Sequence, residues 1–311
     1  MPKPVHSIFT LVSVAVLALT AGCRQEKPES ESIPDEPTAS SPGQKTSPDP
    51  VANPVPKPLV TEGALKIHPI GDKSAWDGAS IRDVQAVLES AGTELIRWFP
   101  ARHLEPIQVE PKGGPITLYN RDSGGGYTVK LNTGKTFWAQ YSFQFSHELC
   151  HILSNYRKDE NPNGWFEESL CEVASLFTLK QMAETWKTDP PYENWKSFHS
   201  ALVDYAQKRI DESALQARKP LPEWFEEMEP KLRESAGQRE LNNVVAVHLL
   251  PLFEANPKGW EAIGWLNVDQ SYPDDTFPEF LERWHYYCPD RHRPFVQKIA
   301  AKFAIQIGEA P

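Results

Sequence analysis

The chain has 311 residues, with 32 Lys and Arg against 42 Asp and Glu, and a net charge of −10 with histidine neutral. The acidic excess is dispersed and basic clusters are lacking, which argues against a nucleic-acid partner and otherwise implies solubility. The length supports one substantial hydrophobic core with room for appended segments.

Lys3 and the apolar run from Ile8 to Ala21 open the chain. That run is too short for an ordinary membrane span of about 20 residues, so residues 1–22 read as a secretory signal. It ends Leu19-Thr20-Ala21-Gly22-Cys23, which resembles the bacterial lipoprotein cleavage box, with Thr20 where Leu is usual. The resemblance implies a lipidated Cys23 as the first mature residue. The domain would then be lipid-anchored to a bacterial membrane on its extracytoplasmic side, in the periplasm or at the cell surface. Plain secretion with Cys23 as a spare thiol is the competing reading. Residues 24–61 are rich in Pro, Ser, Glu and Lys. They hold too little apolar surface to offset ordering entropy and read as a disordered tether. The folded domain is expected over 62–311.

Within it, Leu65 to Ile70 suits an edge strand. Ser80 stands as a helix N-cap with Asp83 in the first turn, and Ile81, Val84, Leu88, Ala91, Leu95 and Trp98 follow at helical spacing. That stripe is core. Gln108 to Glu110 and Ile116 to Tyr119 are short strands. Gly124-Gly125-Gly126 makes a turn into Tyr127–Leu131, where apolar and polar residues alternate as in a half-buried strand.

His147-Glu148-Leu149-Cys150-His151 is the most specific feature of the sequence. Residues four apart lie on one helix face, so the two imidazoles can grip one zinc ion and Glu148 can reach a water beside it. Phe143, Phe145, Leu149, Ile152 and Leu153 make the flanks apolar. A His-Glu-His cluster buried among them requires a partner. After a polar stretch from Asn155 to Asn163, Trp165-Phe166-Glu167-Glu168-Ser169 opens a second helix that can pack beside the first. Two His and one carboxylate leave a fourth zinc position open, the catalytic rather than the structural pattern.

His147-Glu148-x-x-His151 followed by Trp165-Phe166-Glu167-Glu168-Ser169 resembles the gluzincin metallopeptidases, the clan of thermolysin-like and aminopeptidase-like enzymes. The resemblance covers roughly residues 143–177. It puts Glu168 on the third ligand and Glu172, one turn on, on an acidic position that braces a ligand histidine. Ser169 stands where Gly is more usual, and the gap from His151 to Glu168 is shorter than in the best-known members. Glu167 is the rival ligand, directed about 100° away around the helix. Cys150 and Cys171 read either as small buried residues or as a disulfide.

Met182 to Trp186 closes the second site helix before Pro190 and Pro191, and further helices are expected from Tyr192 to Ile210, Pro222 to Leu232, Leu241 to Phe253, Phe277 to Tyr287 and Pro294 to Ile305, with Pro251 disturbing its own. The fold class is α+β and zincin-like: a small, mostly antiparallel sheet on the zinc helix, then a helical lobe, with the cleft between. The implied activity is peptide-bond hydrolysis of a peptide or protein substrate, with one Zn²⁺ on His147, His151 and Glu168 and Glu148 as general base. An oxyanion-binding residue is not identifiable; His199, His248, Tyr205 and Tyr286 are the candidates. The alternatives are a non-catalytic binding lipoprotein on the same scaffold, and a closed structural zinc site.

Overall fold

In the computed structural model the residues described are 65–158, 160–214 and 218–308. Cys23, the signal segment and the tether lie outside them. The chain forms a four-stranded sheet and then a predominantly helical region, an α+β arrangement.

The strands are β1 (Ile67–Pro69), β2 (Ile107–Glu110), β3 (Ile116–Thr117) and β4 (Tyr127–Lys130), in the order β1-β2-β4-β3. Ile67, Ile107, Val109, Tyr127 and Val129 turn inward, while their neighbours are partly or fully exposed. The expected antiparallel character is wrong for most of the sheet. β1 pairs with β2 and β2 with β4 in parallel, and only β3 runs antiparallel, along β4. The cause is connectivity: α1 (Ile81–Ile96) lies between β1 and β2, and a crossover of that length returns the chain in the same direction. Gly92 sits where α1 meets the sheet; a Cβ there would come within 2.4 Å of Leu65 and 3.4 Å of Ile67 and Phe145.

Ser80 precedes α1 in extended conformation, but its side chain makes no capping hydrogen bond. The site helices are α2 (Trp138–Leu153) and α3 (Gly164–Trp186). Phe145, Leu149, Ile152 and Leu153 bury one side of α2. α3 is buried on nearly all sides, from Trp165 to Trp186, and contacts α1, α2, α4 and α6, which is why its sequence shows no clean apolar stripe. Its first turn is anchored by packed aromatics in tilted and edge-on contact: Trp165 lies 4.7 Å from Phe277 and 5.6 Å from Phe225 between ring centroids, and Phe166 lies 5.1 Å from Phe277. These anchors fix the neighbouring Glu167 and Glu168.

The rest comprises α4 (His199–Ala214), α5 (Leu221–Glu234), α6 (Arg239–Ala255), α7 (Phe277–Tyr287) and α8 (Arg293–Lys302), with 3₁₀ turns at Glu193–Phe198 and Pro257–Trp265. The helix expected from Tyr192 is therefore a 3₁₀ turn followed by α4. α6 runs through Pro251 without a break. Thr276 opens α7 with a complete capping box to Glu279.

Candidate metal centre

The turn after α2 sets the geometry. Asn155 takes a left-handed conformation (φ 60°), which Asn tolerates better than most residues. Its N–H donates to the Ile152 carbonyl, and the Tyr156 N–H donates to the His151 carbonyl. These two bonds make a Schellman ending. The chain reverses, and α3 returns along α2 with its first two glutamates facing the two histidines.

His147 and His151 lie a turn apart, their rings 5.1 Å between centroids and at 68° to one another. His147 Nε2 is 3.1 Å from Glu168 Oε2, and His151 Nε2 is 3.5 Å from Glu168 Oε1. Each ring's other nitrogen faces a different carboxylate. His151 Nδ1 is 2.7 Å from Glu167 Oε1, and His147 Nδ1 is 3.7 Å from Glu172 Oε1, an ion-pair rather than a hydrogen-bond distance. Glu168 thus stands against both imidazoles, and Glu172 beside His147. Glu167 lies at the other nitrogen of the His151 ring from Glu168. It braces His151, and it is itself held by the Ser154 hydroxyl at 2.9 Å and the Asn267 amide at 2.8 Å.

Two ligand atoms about 2.0–2.1 Å from a tetrahedral zinc stand roughly 3.3 Å apart. The two Nε2-to-carboxylate separations, 3.1 and 3.5 Å, bracket that edge. Two histidines and a carboxylate are donors that zinc takes, and the outer nitrogens face carboxylates as those of ligating histidines usually do, but the two separations go to different oxygens of Glu168. Cys171 is a competing donor, because one ligand atom each from His147, His151 and Cys171 lie within 4.8 Å of one another. Its chemistry favours it less. Cys150 and Cys171 are both free and buried, and burial together with a hydrogen bond to Cys150 pushes the Cys171 thiol well above its ordinary pKa. Glu168 is ionised and its side chain is 31 % exposed, at the open side of the cluster.

The charges are tightly coupled. Burial opposes protonation of His147 and His151, but the facing carboxylates outweigh it and raise both. Burial also works against ionised Glu168, yet His151, His147 and Arg239 bring its pKa down to about 2. Arg239 stands at the start of α6, its Nε 4.0 Å from Glu172 Oε1.

Glu148 is buried beside the histidines. Burial raises its pKa, against the opposing pull of His147, His151 and Thr117. Thr117, on the edge strand β3, places its hydroxyl 2.9 Å from Glu148 Oε2 and 3.0 Å from the Glu148 backbone oxygen. Nothing in the spacing around Thr117 announced this contact; the register of β3 along β4 creates it.

None of the oxyanion candidates joins the cluster. Tyr205 packs edge-on against Phe143 and accepts a hydrogen bond from Arg209. Tyr286 is 71 % exposed on α7. His248 lies on α6, its pKa lowered by burial and by Lys302, and His199 opens α4. Tyr156 stands closer, its ring 6.3 Å from that of His151. No protein-family model, curated protein or solved structure matches this chain.

Proposed function

We infer that the chain is a zinc-dependent peptidase with a zincin-like fold. The observation that carries this is the placement of both histidine Nε2 atoms against the two oxygens of Glu168, with the Glu148 carboxyl beside them. His147, His151 and Glu168 would hold the metal; Glu167 and Glu172 would fix the ring orientations. When bound, zinc supplies a Lewis acid that acidifies water and polarises a carbonyl.

Glu148 accepts the proton of the attacking water and returns it to the leaving amine. Thr117 serves both protonation states of that base. A hydroxyl has a single proton to donate, so with Glu148 ionised it donates to the carboxylate. With Glu148 protonated on Oε1, the oxygen left to take the proton from water and pass it on, Oε2 still accepts the Thr117 hydroxyl. The base is held in place throughout a cycle.

The test is a mixed peptide library incubated with purified protein of measured zinc content, with and without a chelator. Cleavage that the chelator abolishes and zinc restores is the expected result; bound zinc with no cleavage would defeat the reading. A second reading, a closed structural zinc site, is favoured by one observation, the proximity of Cys171 to both histidines.

The membrane placement is likewise a proposal, supported by the Leu19-Thr20-Ala21-Gly22-Cys23 segment and the tether-like composition after it. Cys23→Ala is expected to release the protein from the membrane fraction of a bacterial host. Unchanged sedimentation with membranes would refute lipid anchoring at that residue.

A further inference from the structure

We propose that Tyr119 and Tyr156 form a subsite for a large apolar or aromatic side chain of the peptide substrate, adjacent to the bond being cleaved. This rests on the peptidase reading and adds the substrate class.

β3 is the outer strand of the sheet, and Thr117 on it reaches Glu148. The Leu118 N–H still pairs with the Thr128 carbonyl at 2.9 Å, so pairing with β4 continues one residue past β3, and Tyr119 follows in a bend. The Tyr119 ring stacks on Tyr156 at 5.5 Å between centroids and 28° between planes, and the residue is 52 % exposed. Tyr156 in turn faces His151. The two rings make a continuous path from the His151 imidazole out to solvent, just past the strand whose Thr117 meets Glu148.

Single exposed aromatics are common on protein surfaces and need no explanation. This pair differs in being built. The Schellman turn fixes the Tyr156 backbone, and its hydroxyl donates to the Leu118 carbonyl, so the ring cannot turn away without losing that bond. The surface it supports is flat, apolar and rigid before any ligand arrives, which lowers the cost of ordering on binding. Aromatic rings prefer offset-stacked or edge-on neighbours, so a benzyl or similarly large side chain gains there and a methyl group does not.

The experiment measures, by calorimetry on zinc-loaded protein, the binding of phenylalanine hydroxamate and alanine hydroxamate, whose metal-seeking groups are identical. Wild type is expected to prefer the phenylalanine compound by about tenfold, at the low end for added methylene groups in a closed pocket, because this shelf is open. Tyr119→Ala should bring the preference below about threefold, and Tyr119→Phe should keep it, each with zinc content unchanged. Equal binding of the two compounds by wild type, or an undiminished preference in Tyr119→Ala, overturns the subsite and leaves the metal reading standing. Protein that retains no zinc and binds neither compound overturns both.

Discussion

Replacing Glu148 by Gln is expected to leave bound zinc in place and to lower peptide hydrolysis by about 10²–10⁴-fold, the usual contribution of a positioned general base. Glutamine has nearly the shape of glutamate and can still meet the Thr117 hydroxyl, which stands 2.9 Å from Glu148 Oε2. The fold around the helix should therefore persist. What is lost is the capacity to accept a proton. Glu148 also stands apart from the metal-facing set, since the short contacts at both Nε2 atoms are to Glu168. Zinc measured by atomic absorption, alongside kcat/KM on a cleaved peptide, separates the two roles. Full hydrolysis by Glu148→Gln would end the mechanism; loss of zinc would make Glu148 a ligand rather than a base.

The parts of this site that could be read from the sequence are those carried by helical spacing. His147, Glu148 and His151 share a helix, as do Glu168 and Glu172, and period alone brings each set to one face. Contacts made across the chain had no such signal. Asn267 reaches Glu167 from a loop one hundred residues away. Thr117 reaches Glu148 because of strand register. Glu167 looked like an alternative to Glu168 because adjacent helix positions point in different directions; the structure shows that both directions are used, one toward each nitrogen of His151. The sheet was misjudged for a related reason. Alternation in Tyr127–Leu131 marks a half-buried strand but carries no direction; direction is decided by the connections, and α1 between β1 and β2 enforces a parallel pair.

Whether Cys171 joins Glu168 on the metal decides whether the centre is open or closed, and substitution separates the cases. Glu168→Ala is expected to weaken zinc binding by more than about a hundredfold, beyond the 10–100-fold typical of a residue that supports a ligand. Glu167→Ala should fall within that supporting range, since it frees His151 to turn but removes no donor. Cys171→Ser should keep zinc and hydrolysis, because Glu168 already stands against both imidazoles and the serine keeps the small buried shape between the helices. Metal and proton also compete for the same imidazoles. The facing carboxylates raise the pKa of both histidines in the metal-free protein, so zinc binding releases protons and affinity falls as pH is lowered. In that metal-free state the raised histidines contribute stability that is complete below the ordinary histidine pKa and fades as pH rises through their raised values. Glu168 contributes above the ordinary carboxylate range and loses its contribution as pH falls toward about 2. Calorimetric titration with zinc at two pH values and in two buffers reads both the affinity and the protons released. Zinc lost from Cys171→Ser but retained by Glu168→Ala would reverse the ligand assignment and put a sulfur on the metal in place of the carboxylate; zinc lost from both would mean four protein ligands and take away the open position on which hydrolysis depends.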